Sequence, residues 1–210
     1  MNKKLFLGTL LSSFLSGMFI SIGGCVYLSL ASTLDPLQKV LGAVFFCVGL
    51  ISICLLGLYL YTGKIAYAVE DHSLKNILTL LLGIVGNFAG TTLFGTMASY
   101  VNKNWHEYAK TLCNTKTNLN LWGVLFLAFM CGVLMYVAVN TYKTQKTIMA
   151  ILFCIPVFIL SGFEHSIADM FYFAVARVYS LKYLAFILIV IIGNGLGAML
   201  VPFIKKFIKE

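Results

Sequence analysis

Charged residues are scarce in this 210-residue chain: Asp, Glu, Lys and Arg together make up 10% of it, against roughly 25% in soluble domains. Sixty per cent of the residues are hydrophobic and the mean hydropathy is +0.95, so a soluble fold of this length has no way to hide its apolar surface. The 15 Lys and Arg outnumber 7 Asp and Glu. They stand singly or in pairs and form no basic stripe, which excludes a nucleic-acid interface. Proline is nearly missing. Pro36, Pro156 and Pro202 are the three, and none follows an asparagine, so the chain lacks the paired Asn-Pro-Ala of a water or glycerol channel. The six cysteines (25, 47, 54, 113, 131 and 154) include no C-x-x-C pair. Their dispersal argues against a disulfide scaffold and against a metal or redox site. With three histidines, two of them (His72 and His106) expected in loops, no haem or metal enzyme is indicated and no cofactor is called for.

What the chain has is long apolar runs. A bilayer core of about 30 Å takes about 20 helical residues. The runs 5–31, 38–69, 74–101, 119–140, 147–178 and 181–204 therefore read as six spans. The connections are short, and 1–210 reads as a single transmembrane domain. Lys3 and Lys4 before the first run imitate a signal peptide, but the run far exceeds the roughly 7–15 residues of a signal h-region and reads as a span. One side of the membrane then carries Lys3, Lys4, Lys64, Lys75, Lys143, Lys146, Lys205, Lys206 and Lys209. The other carries Lys39, Lys103, Lys110, Lys116, Arg177 and Lys182. That bias predicts cytoplasmic termini. It also puts the 103–118 loop outside, with Cys113 as the one cysteine meeting bulk water. Basic residues on both faces suit a protein that passes anions.

The two halves echo each other. Gly86-Asn87-Phe88-Ala89-Gly90 in the third span and Gly193-Asn194-Gly195-Leu196-Gly197 in the sixth share a G-N-x-x-G pattern about half the chain apart. Small residues alone serve close helix packing; an intramembrane amide beside them also needs a partner. The second and fifth spans are each interrupted by glycine with polar residues, at Gly57-Leu58-Tyr59-Leu60-Tyr61-Thr62-Gly63-Lys64 and Ser161-Gly162-Phe163-Glu164-His165-Ser166-Ile167-Ala168-Asp169. Paired interruptions of this kind point to a binding or permeation site between inverted repeats, here about 1–101 and 119–210.

Glu164, His165 and Asp169 form an ionisable cluster within an apolar run, where each charge costs about 2.5–3.5 kcal/mol even on a gentle scale. Glu164 reads equally as a polar plug pinning the broken helix or as a functional group. His165 favours function, since an imidazole both donates a hydrogen bond and exchanges a proton. Asp169 reads as structural. Thr62, in the other break and matched to His165, offers a hydroxyl that donates to an anion without trapping it. Ser166 adjoins His165 and points elsewhere on a helix, so no nucleophile–base pair forms and no enzyme is expected.

Gly162-Phe163-Glu164-His165-Ser166-Ile167-Ala168-Asp169-Met170 resembles the G-F-E-H-S-I-A-N-M signature of the formate/nitrite transporter family, which includes hydrosulfide channels, at eight of nine positions. Leu60-Tyr61-Thr62-Gly63 resembles its L-F-T-G segment, and Asn194 with its glycines resembles its sixth-helix motif. The resemblance implies an all-α, aquaporin-like protomer with helices 2 and 5 broken, a homopentamer, and a pore within each protomer. It implies that Thr62 and His165 face each other at the pore centre, with Glu164 and Asn194 on the pathway. Phe46 and Phe158 would form the outer constriction and Leu50, Leu60 and Tyr61 the inner one. Lys116 would be a basic vestibule residue. Asp169 for Asn, Tyr59 for an acidic residue and the Lys64 after Thr62-Gly63 depart from the family pattern. The compact chain and Lys64 lean towards the hydrosulfide branch.

The expected function is a channel, in a plasma (inner) membrane, for small monovalent anions of weak acids. Hydrosulfide is favoured and formate and nitrite are also carried; a neutral-solute channel of water or glycerol type is the alternative. The anion sheds its water in an apolar slit, aided by half-helix N-termini, and His165 would protonate it in passage. An exposed Lys116 would make a Lys116→Glu variant lose flux chiefly at low salt.

Overall fold

The computed structural model describes residues 3–208, and Lys209 of the charge count lies outside them. Among the described residues the chain is helical throughout, without strand. The order is α1 (Lys3–Ala31), α2 (Pro36–Phe45), α3 (Cys47–Leu55), α4 (Tyr61–Lys64) running into a 3-10 turn (Ile65–Val69), α5 (Leu74–Val101), α6 (Lys103–Thr117), α7 (Leu121–Gln145), α8 (Met149–Leu160), α9 (Ser166–Ala176) and α10 (Leu181–Ile208). Among the described residues, five stretches are long and apolar enough to cross a membrane: α1, α2 with α3, α5, α7 and α10. The expected fifth span is divided between the shorter apolar helices α8 and α9. Large apolar side chains such as Leu81, Phe126, Phe153 and Leu188 stand exposed on the outer surface, as a lipid-facing protein requires.

Helix starts follow their caps. Asp35 accepts from Leu37 and Gln38 N–H with Pro36 at the first helical position, and Ser73, Asn102 and Asn120 cap α5, α6 and α7 in the same way. Both breaks open on a left-handed glycine, Gly57 (φ 65°) after α3 and Gly162 (φ 69°) after α8. In each, the next N–H reaches back to close the helix: Leu58 N to Ile53 O at 2.9 Å and Phe163 N to Phe158 O at 2.9 Å.

The core pairs α1 with α5 and α7 with α10. The G-N-x-x-G glycines sit at these crossings. A β-carbon on Gly90 would strike the Phe14 carbonyl, and one on Gly197 the Phe129 carbonyl. Backbones approach this closely only over small residues.

One expectation is corrected here. The expected 103–118 loop is instead helix α6 over Lys103–Thr117, which packs on α9. His106 lies on α6, not in a loop, and its Nδ1 is 2.7 Å from the Val175 carbonyl. Cys113 is 1% exposed, so it does not meet bulk water. An impermeant maleimide is expected to leave Cys113 unmodified in the folded protein and to modify it after denaturation, read by mass spectrometry. Modification of native protein at the rate of a free thiol would show that α6 lifts off α9.

Candidate functional site

The breaks place the candidate residues. After each glycine turn the chain runs extended for a short stretch and restarts as helix four residues on, at Tyr61 and at Ser166. One asparagine ties down each stretch. Asn87 Oδ1 accepts from Tyr61 N at 3.0 Å while its Nδ2 donates to Tyr59 O at 3.1 Å and Ser13 O at 2.8 Å. Asn194 Oδ1 accepts from Ser166 N at 2.8 Å while its Nδ2 donates to Glu164 O and Ala128 O, both at 2.8 Å. Each amide thus satisfies one N–H and one carbonyl that a broken helix leaves unpaired in an apolar interior, and adds a bond to a carbonyl of a neighbouring intact helix. Asn194 is fully buried with its amide committed. It lines neither cavity described below, so it positions the break rather than contacting a solute.

This pairing corrects the expected match between the halves. Tyr61 corresponds to Ser166 and Tyr59 to Glu164, so Leu60, not Thr62, corresponds to His165. Thr62 and His165 nevertheless meet: Thr62 Oγ1 is 2.9 Å from His165 Nε2, with both side chains buried. His165 caps α9, its Nδ1 accepting from Ala168 N at 3.1 Å. Nδ1 therefore carries the lone pair, the proton is on Nε2, and the neutral ring donates to Thr62. Phe158 stacks on the imidazole (ring centroids 5.6 Å apart), and Phe46 meets Phe158 edge-on at 6.2 Å.

Two cavities approach this pair and share no lining residue. The first, of about 400 Å³, is lined by Lys116, Glu164, Asp169, His165, Phe158, Tyr27, Tyr172 and Lys39 among others. The second, of about 210 Å³, is lined by Leu50, Ile53, Leu60, Gly63, Tyr67 and Tyr142 with Lys64, Lys143 and Lys146. Its lining carries, among the described residues, no carboxylate. Phe158 and His165 line the first cavity and Leu50 and Leu60 the second, while Phe46 packs on Phe158 and Thr62 bonds His165. Tyr61 lines neither cavity. Its ring turns to α10, and its hydroxyl donates to Ile191 O at 3.1 Å, so it anchors the break instead of narrowing it.

Lys116 is not a solvated vestibule residue. Its ammonium bonds Glu164 Oε2 and lies 3.0 Å from Asp169 Oδ1, and its side chain is 15% exposed. Burial alone would lower its pKa. The facing Asp169 and Glu164 carboxylates outweigh that and hold it above the ordinary lysine range. Asp169, read from sequence as structural, joins this cluster on the cavity wall. Because the charge is shielded from solvent, the salt dependence expected of an exposed lysine falls away. Lys116→Glu is expected to abolish function equally at low and high salt. Lys116→Met is expected to destabilise the protein by about 3–5 kcal/mol, the cost of stranding buried charges, read as a lowered melting temperature in detergent. An unchanged melting temperature would mean the cluster is solvated.

Comparison with known proteins adds the lineage. The family model described as formate/nitrite transporter matches residues 2–207. The chain is 28% identical over 195 residues to the formate channel FocA of Haemophilus influenzae, covering 81% of this chain and 66% of that protein. It is 27% identical over 186 residues to the nitrite transporter NirC of Escherichia coli, covering 81% and 69%. It spans 41% of formate-nitrite transporter 2 of Toxoplasma gondii, so the curated relatives are longer than the segment matched. A solved structure of a pentameric formate channel with formate bound superposes with a TM-score of 0.86 at 19% identity, over 100% of this chain and 99% of that one. An FNT family ion channel superposes with a TM-score of 0.79 at 25% identity, over 97% and 90%. The family match over nearly the whole length, together with the superposed fold, makes this chain a multi-pass membrane protein that belongs to the formate/nitrite transporter family.

Proposed function

We propose that the chain is a channel for small monovalent anions of weak acids, and not an enzyme. Hydrosulfide is the favoured solute, with formate and nitrite also carried. The pathway runs within each protomer, from the Lys116 cavity past Phe46 and Phe158, across Thr62 and His165, past Leu60 and Leu50, into the Lys64 cavity. The observation that carries this reading is the pair of separate cavities that stop at a buried Thr62–His165 hydrogen bond walled by apolar rings. A naked charge in such a slit costs far more than one donor returns. A neutral acid crosses it with two small polar partners, Thr62 Oγ1 and His165 Nε2. Hydrosulfide is the base of a weak acid and is protonated readily near neutrality. Formate and nitrite are bases of stronger acids, and chloride has no such route.

The parallel ties made by Asn87 and Asn194 support reading 1–101 and 119–210 as inverted repeats within one domain. The superposed pentameric formate channel supports a homopentamer. The lysine bias supports an inner (plasma) membrane location with cytoplasmic termini, the Lys64 cavity facing the cytoplasm and the Lys116 cavity facing out.

Purified protein in liposomes, presented with hydrosulfide, formate, nitrite and chloride gradients in turn, tests the proposal. Flux is expected to follow anion basicity, with chloride at the level of empty vesicles. Chloride flux equal to hydrosulfide would mark a simple anion pore. Water or glycerol flux without anion flux would mark the neutral-solute alternative.

A further inference from the structure

The Lys116 cluster sets two carboxyl groups against one ammonium. Both Asp169 Oδ1 and Glu164 Oε2 lie on Lys116 Nζ, which keeps the two carboxyls within two hydrogen-bond lengths of each other. Glu164 is 2% exposed and Asp169 1%. Lys39 lines the same cavity but is exposed, and among the described residues only Lys116 pairs with these carboxylates; the other titratable groups facing Asp169 bring no second cation. They are Cys113 on α6, Cys131 on α7, Tyr183 on α10 and Tyr172 on α9, with Tyr27 of α1 beyond it. His165 is one turn away with both ring nitrogens engaged. Arg177, at the far end of α9, is turned to Tyr100 and the Ser99 carbonyl. The facing part of α5 carries no charged residue.

With both carboxyls ionised, the cluster would bury one uncompensated negative charge, which burial penalises heavily. A bound proton removes it. One atom in the cluster is placed to hold that proton: Asp169 Oδ2 is buried without a hydrogen-bond partner, on a residue that lines the Lys116 cavity. Asp169 is also the single mismatch in the nine-residue signature.

We infer that Asp169 and Glu164 share one proton, and that this carboxyl pair is the group that protonates a weak-acid anion entering the Lys116 cavity. In the step, the O–H bond at Asp169 Oδ2 breaks and its electron pair stays on the carboxylate. The proton forms a bond to sulfur of hydrosulfide or oxygen of formate. The neutral acid moves on past Phe158, and a hydronium ion from solvent at the open end of the cavity returns a proton to Asp169 and leaves as water. Nothing is oxidised or reduced. The donor role rests on the anion-pathway reading above; the shared proton does not.

Infrared spectroscopy of the purified protein tests the proton directly. At pH 7 free Asp and Glu, with pKa values near ~3.9 and ~4.3, are ionised. The wild type is expected to keep a protonated-carboxyl C=O stretch that shifts in heavy water and is absent from Asp169→Asn. Should that variant fail to fold, Glu164→Gln serves, since Asp169 then ionises against Lys116 and the band is lost there too. A wild type without the band, or an Asp169→Asn variant that retains it, overturns the shared proton. In liposomes, Asp169→Asn keeps the one-to-one Lys116–Glu164 pair and is expected to lose roughly tenfold in formate flux and to flatten its dependence on external pH. A wild-type pH profile in that variant overturns the donor role even with the band present. Absence of anion flux in the wild type overturns the channel reading and leaves the infrared result standing.

Discussion

Asn194→Leu is expected to leave no recoverable folded protein after detergent extraction. The substitution strands Ser166 N–H and the Glu164 carbonyl, both now bonded at 2.8 Å, and removes a further bond to the Ala128 carbonyl, which lies within α7. An unsatisfied buried polar group costs about 1–3 kcal/mol, so the two together consume much of the roughly 5–15 kcal/mol by which a domain is stable. The leucine branch would also press on α7, which packs so closely here that a β-carbon on Gly132 would strike the Asn194 carbonyl. Asn194→Asp separates the two causes. Buried here as the neutral acid, it keeps the acceptor for Ser166 N–H, the side-chain volume and one of the two donors, so a melting temperature between those of the wild type and the leucine variant is expected. Asn87→Leu should match Asn194→Leu, since Asn87 holds the equivalent groups in the other break. A leucine variant that purifies and melts like the wild type would show that water satisfies the break and that the asparagine is dispensable.

These ties mark what the sequence did and did not disclose. A glycine and an amide inside an apolar run announce that a helix breaks and that the amide needs a partner, and both breaks were legible on that ground. They do not say whether the partner is a solute or the backbone, so Asn194 was placed on the pathway when it holds the chain beside it. Register was lost in the same way. Thr62 and His165 look like counterparts because both are polar and central. The counting runs from the left-handed glycines, however, and Gly57 and Gly162 set Leu60 opposite His165. Helix α6 was hidden by its charges. Its buried side, Trp105, Ala109, Leu112, Cys113 and Lys116, follows helical spacing, but Lys103, Glu107, Lys110 and two asparagines disguise a helix as a loop. The burial of Lys116 was not legible at all, because Glu164 and Asp169 reach it from 48 and 53 residues along the chain. Cys113 followed Lys116 into the same misplacement.

His165→Asn is expected to keep the wild-type pH profile of formate and hydrosulfide flux, with its magnitude reduced by less than about tenfold. The argument starts from the ring's two bonds. Nδ1 faces the Ala168 N–H at 3.1 Å and Nε2 faces Thr62 Oγ1 at 2.9 Å. A second proton on Nδ1 would confront that N–H and uncap α9, so the imidazole acts as a fixed neutral donor and not as a proton carrier. Asparagine reproduces the donor and is itself a favoured cap for Ala168 N–H. His165→Leu removes both functions. Leaving the buried neutral acid without that donor costs about 1–3 kcal/mol, and each 1.36 kcal/mol is a factor of ten in rate. Flux through the leucine variant should therefore fall roughly ten- to a hundredfold, with the oligomer intact on gel filtration. Measured side by side in liposomes across the acid range, the two variants divide the possibilities. Reduced flux with the pH profile kept in Asn marks the neutral donor. A flattened profile in Asn would return the proton to His165 and take it away from the carboxyl pair.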